Sequence, residues 1–165
     1  MGNRKKVNSM PSVYQSLNII KPQILAQWQA VSFAGDEGIS AKKPAGPFAD
    51  PVAYLIKKNT EAILEWLLDG GNDEDIFIPL EEICRYRAIE DIRPAEALKF
   101  VFALKQIIRN ELVSEKGDWA EELLDIDKRI DNIALLAFDI YSKCRARICE
   151  LRVKEIKRMY GRDRG

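Results

Sequence analysis

The stretch that decides the fold is Asp118–Met159, DWAEELLDIDKRIDNIALLAFDIYSKCRARICELRVKEIKRM. Trp119, Leu123, Ile126, Ile130, Ile133, Ala137, Ile140 and Cys144 recur in it at alternating steps of four and three. That spacing keeps apolar side chains on one face of an α-helix, and more than three heptads of it form a packing seam. The next apolar step, Cys144 to Ile148, is four where three is due. This is a stutter, which locally relaxes a supercoil. Asp118, after the Lys116-Gly117 break, reads as the N-cap of the helix. The six apolar residues from Ile133 to Phe138 predict that the helix is surrounded at that level. Beyond the stutter the character changes. From Lys143 to Gly165 nine basic residues stand against three acidic ones, a net charge of +6. The first half is therefore expected to serve the core and a twin subunit, and the basic second half to project outward.

Working outward, Pro94 opens a second strong helix that extends to about Val113. Leu98, the run Phe100–Leu104, Ile107, Ile108 and Leu112 make it apolar on most sides, which predicts a central position. Glu96, Lys99, Gln106, Arg109 and Asn110 leave only a narrow wet edge. Asp50-Pro51 reads as an N-cap followed by proline at N1, opening a helix that buries Val52, Leu55, Ile56, Ile63, Trp66 and Leu67 and stops at Gly70-Gly71. A short helix is expected from about Pro79 to Ile89, with Leu80, Ile83, Cys84 and Tyr86 as packing positions. Residues 12–33 carry Leu17, Ile20, Ile24, Trp28 and Val31 at helical steps. Pro22 either starts that helix or bends it. No strand alternation competes, so the expectation is an all-α, five-helix bundle with a long C-terminal helix. One domain spans 12–160, and residues 1–11 and 161–165 read as disordered. The segment Phe33–Asp50, with three glycines and two prolines, is the longest loop and the one expected to cover a ligand.

Composition narrows the function classes. The chain has 165 residues, enough for a single core. Its 26 lysines and arginines equal its 26 aspartates and glutamates, so no global charge argues for nucleic acid. There is no histidine, which removes the commonest general base, zinc ligand and proximal haem ligand. Cys84, Cys144 and Cys149 are odd in number, and the last two stand about 140° apart on a helix, so neither a disulfide framework nor a metal cluster follows. The thiols read as reduced and the protein as cytoplasmic, without an export signal or a membrane-spanning run. Cys84 lies near Arg85 and Arg87, which lower a thiol pKa, but with no base to partner it a buried small hydrophobe is the better reading. Glu81-Glu82 and Glu121-Glu122 are adjacent on helices and point about 100° apart, so neither pair converges. No phosphate loop or nucleophile elbow is present. The expectation is a protein that is not an enzyme and holds no cofactor or metal.

Two basic groups remain as candidate partner or anion contacts. One is Arg85 and Arg87 in Arg85–Asp91, RYRAIED, at a helix end. Its structural alternative is a salt-bridged corner between two helices. The other is Arg145, Arg147, Arg152, Lys154 and Arg158 on the last helix, whose structural alternative is a solvated helix end complementing the dipole.

Cys84–Leu112, CRYRAIEDIRPAEALKFVFALKQIIRNEL, and Ile130–Lys157, IDNIALLAFDIYSKCRARICELRVKEIK, resemble the sensor-like N-terminal domain of the RsbT co-antagonist proteins of the RsbRD type. The matching cues are Arg87-Ala88-Ile89-x-Asp91, Pro94-x-x-Ala97 leading into Phe100, and Leu136–Tyr141 leading into Arg145. Pro47-Phe48-x-x-Pro51-Val52 is also similar, and the likeness covers roughly residues 21–157. It implies a globin-like module without haem that forms dimers and signals through a C-terminal linker helix to a STAS domain. No STAS segment follows within these 165 residues, so the expectation is that the output passes to a separate protein or that the domain works as a stand-alone relative of these stress-signalling modules. Arg93 before Pro94 departs from the small capping hydroxyl expected there. The leading expectation is thus a regulatory or sensory interaction module that dimerises through its last two helices, along Ile126, Ile130, Ile133, Ala137, Ile140 and Cys144. One alternative is an accessory subunit docking on a membrane complex or an anionic surface through its basic C-terminal helix. Another is a small-molecule sensor with an apolar pocket under the Phe33–Asp50 loop.

Overall fold

The computed structural model describes residues 11–33, 48–113 and 117–162. Six helices follow one another within them: α1 (Val13–Ile19), α2 (Lys21–Phe33), α3 (Pro51–Asp69), α4 (Asp73–Ile89), α5 (Pro94–Val113) and α6 (Ala120–Arg162). Residues 1–10, most of the expected covering loop and residues 163–165 fall outside the described residues. Gly161 and Arg162, expected in a disordered tail, continue α6.

The all-α bundle is as expected, but the count is six and not five. Residues 12–33 form two helices because each has its own start. Ser12 Oγ accepts from the Gln15 N–H (3.2 Å), and Gln15 Oε1 accepts from the Ser12 N–H (3.0 Å), a reciprocal cap that opens α1. Pro22 then sits second in α2, where a missing N–H costs nothing. A second correction concerns Pro79, which lies inside α4 and does not start it. The helix begins earlier because Asp75 Oδ2 accepts from the Asn72 N–H (3.1 Å) and Asp73, Glu74 and Asp75 place three negative charges on its N-terminal dipole. Pro79 costs that helix one backbone bond, and it is buried with Ile76 and Leu80 in the core. Asp50 and Gly70 bound α3 as expected. Asp50 Oδ1 accepts from the Ala53 N–H (2.9 Å), and Gly70 has φ 78°, a conformation that suits glycine. At α6 the Trp119 carbonyl accepts the first helical bond from Leu123, so the cap falls one residue after Asp118.

Ion pairs fix how the helices run. Lys105 meets Asp131 (2.5 Å) and Arg109 meets Asp127, so α5 lies antiparallel to α6. The Cys84 thiol donates to the Ala137 carbonyl (3.6 Å) and Arg145 to the Ala88 carbonyl (3.2 Å), so α4 runs parallel to α6 on its other side. α3 packs on α4, and α2 closes the bundle between α3 and α5. There Trp28 donates from its indole to the Phe100 carbonyl (2.7 Å) and stacks on the Phe100 ring at 6.1 Å. Val31, expected in the core, is exposed, and Ser32 takes its place. Ile24, Trp28 and Ser32 step by four down the buried side, and Ser32 stays satisfied because its hydroxyl donates to the Trp28 carbonyl (2.8 Å).

Candidate functional site

The seam of α6 is buried within its own subunit. Ile126, Ile130, Ile133, Ala137 and Ile140 are buried in one core cluster, and Cys144 packs against it half-buried. They pack inside the subunit, where the dimer seam was expected. α4 and α5 already cover that face, so a twin subunit would have to meet other residues. Burial pushes the Cys84 thiol up to about 12 and raises that of Cys144, which disfavours the thiolate at both positions.

The corner at the end of α4 divides its two arginines. Arg87 is buried, and its guanidinium donates to the carbonyls of Glu96 (3.2 Å), Ala97 (3.0 Å) and Ser32 (2.9 Å) and lies over the Phe100 ring at 4.9 Å. It is a tie between α2, α4 and α5, so its assignment as a partner or anion contact is corrected. Arg85, two residues earlier and about 200° round the helix, is exposed and pairs with Glu81 (3.0 Å). Arg145 is also committed inward. It pairs with Asp91, whose hydrogen bond raises the guanidinium's pKa above its ordinary value, and it donates to the Ala88 carbonyl. One turn earlier, Tyr141 donates to the Ile92 carbonyl, and burial raises its phenol pKa. Together these two side chains hold the α4–α5 turn against α6. Arg147, Arg152, Lys154 and Arg158 are exposed on a helix that has left the bundle; from Cys149 onward every described residue of α6 is exposed.

Sequence reasoning missed a different surface. Phe102, Leu124, Leu135 and Phe138 are each more than half exposed, although three of them lie in runs expected to be enclosed. The run Ile133–Phe138 is open on one side because α4 and α5 cover only the arc that carries Ile133, Ala134 and Ala137. Leu124, Asp131, Leu135 and Phe138 follow at steps of seven, four and three, so they share one face of α6. The register set by the Lys105–Asp131 and Arg109–Asp127 pairs brings Phe102 of α5 to the level of Ala134 and Leu135. Those steps were readable in the sequence. What was not readable is that this stripe, rather than the denser one beside it, would face outward.

A groove of about 360 Å³ lies where α3, α4 and α6 meet, with Trp66, Ile76, Phe77, Ile133 and Leu136 as its apolar lining. Arg129 at its rim pairs with Asp125 (3.1 Å) and lies over the Tyr14 ring at 5.6 Å. The Tyr14 hydroxyl donates to Asp125 (2.7 Å) and the Val13 N–H to Glu122 (2.6 Å), which seats α1 on the start of α6. The pocket expected under the Phe33–Asp50 loop lies outside the described residues. Among the described residues no three histidine, cysteine, aspartate or glutamate side chains are placed to share a metal ion, and no helix is long and apolar enough to cross a membrane.

The fold is thus an all-helical bundle whose last helix outgrows it. Comparison with known proteins places it in a regulatory class. The chain belongs to the family described as the RsbT co-antagonist protein rsbRD N-terminal domain, which it matches over residues 22–155. It is also similar to an uncharacterised protein of Archaeoglobus fulgidus, 28% identical over 115 residues that cover 68% of this chain and 73% of the relative. No solved structure matches it.

Proposed function

We propose that this chain is a regulatory interaction module that acts by binding, carries out no reaction of its own, and pairs with a second copy through the outer face of α5 and α6. Family membership supports the regulatory role. The observation that carries the pairing is the exposed apolar face of Phe102, Leu124, Leu135 and Phe138, on two helices locked together by two ion pairs. A two-fold axis through such a face makes it self-complementary, each copy offering the same side chains to the other. Exposed apolar clusters of this kind mark association sites in soluble proteins.

Sedimentation equilibrium tests the pairing. Wild type is expected to be a dimer at ~100 μM, since a regulatory pair should assemble well below that. The double variant Leu135→Asp/Phe138→Asp is expected to be a folded monomer with the helix content of wild type, because both side chains lie outside the core. A wild-type monomer at that concentration would sink the proposal.

A further inference from the structure

The bare end of α6 is amphipathic in a way the bundle does not need. Cys149, Val153, Ile156 and Tyr160 follow at steps of four, three and four, within an arc of about 60°. Val153, Ile156 and Tyr160 are half exposed or more, as are Leu151 and Met159. Arg152 and Lys157 stand about 40° beyond the two edges of that arc, and Lys143, Arg147, Lys154 and Arg158 form a basic stripe on the far side. The helix dipole accounts for cations in the last turn only, whereas Lys143, Arg147 and Arg152 lie more than two turns inward. Charge is also polarised along the molecule. α4 and α6 run parallel, so Asp73, Glu74 and Asp75 gather with Glu121, Glu122 and Asp125 at the end opposite the basic helix.

We propose that the α6 segment from Lys143 to Arg162 docks on an anionic phospholipid surface, with Val153, Ile156 and Tyr160 entering the interface, Arg152 and Lys157 beside them meeting the headgroup phosphates, and the far-side stripe adding longer-range attraction. Apolar side chains flanked by lysine and arginine fit a helix lying in the plane of such a surface. Arg152 and Lys157 keep their charges among the phosphates while their stems cover the edge of the apolar arc. The acidic pole at the far end turns the bundle away from the negative surface. This docking is independent of the pairing face on α5 and the first half of α6.

The test is co-sedimentation of the full chain with large vesicles of phosphatidylcholine alone or mixed with phosphatidylglycerol, at low and high salt. Binding is expected only with phosphatidylglycerol and is expected to fall as salt rises. Arg152→Glu/Lys157→Glu should weaken it by roughly 10-fold or more, since each basic residue near such a surface contributes several-fold. Val153→Asp/Ile156→Asp should abolish it while leaving the melting temperature unchanged. No binding at low salt would overturn the proposal. So would binding that the charge-reversed variant retains, or binding that the aspartate pair leaves intact. Capture on immobilised poly-glutamate without vesicle binding would assign the basic stripe to an acidic protein partner instead. An aspartate pair that dissociates a dimer and leaves vesicle binding unaltered would assign the apolar arc to a second copy.

Discussion

α6 is one helix with two environments. From Ile126 to Tyr141 its seam positions are enclosed by α4 and α5 while Leu135 and Phe138 face outward, and from Cys149 to Arg162 every residue is exposed. At about 1.5 Å per residue its 43 residues span roughly 65 Å, far more than the bundle needs. Both halves repeat apolar residues at steps of four and three, so spacing alone does not distinguish core from surface. The first half differs in having partners. α4 runs beside it to Ala88 and α5 to Pro94, and both end at the level of Tyr141 and Arg145. Beyond that point no described helix accompanies it.

The largest expected effect comes from placing one charge in each half. Ile140→Asp buries a carboxylate against the core and should cost about 4 kcal/mol or more, measured as a shift in the urea midpoint. Ile156→Asp should stay within about 0.5 kcal/mol of wild type. Equal losses would break the comparison, because they would show that the end of α6 is covered in solution. It also follows that Ile140→Asp reports on folding and says nothing about association.

A smaller effect should sharpen where the boundary falls. Arg145 is the last basic residue of α6 held inward, by Asp91 and the Ala88 carbonyl. Arg145→Ala should lower the urea midpoint measurably, because it removes the Asp91 pair and leaves the Ala88 carbonyl without its side-chain donor. Arg147→Ala, two residues on, should cost nothing measurable by the same denaturation.

The smallest effect concerns the opposite end of the enclosed half. The Tyr14 hydroxyl bonded to Asp125, with Arg129 beside it, holds the Asp125 carboxyl below its ordinary 3.8. A carboxyl with a depressed folded pKa contributes stability that is present above the unfolded value and lost as pH falls through the folded one. Melting temperatures at about pH 5 and about pH 3 should therefore drop further in wild type than in Asp125→Asn. The same drop in both proteins would remove the Tyr14–Asp125 bond from any role in seating α1.

Several of these boundaries were legible before any coordinates. Asp50-Pro51 and Gly70-Gly71 delimit α3 because a side-chain cap, a proline without an N–H and a glycine at positive φ are local devices that need no partner. Pro94 opens α5 as a first-turn proline with no N–H to satisfy. The candidate site was less legible. Arg85 and Arg87 have nearly identical local surroundings, yet one is a solvent-facing partner of Glu81 and the other is buried among backbone carbonyls. The difference lies in which way α4 is turned against α2 and α5, and those contacts reach 55 residues along the chain.

The sequence by itself determined that this chain is helical, where its strongest caps fall, and that its last helix changes from apolar to basic near Cys144. Those features depend on residues within a turn or two of each other, where propensity, capping and periodicity act. Only the tertiary structure decided that the seam from Ile126 to Ile140 is spent on the subunit's own core, that Leu135 and Phe138 face outward, and that the basic segment stands clear of the bundle. Each of these depends on where neighbouring helices lie and where they stop, which the local pattern of α6 does not encode.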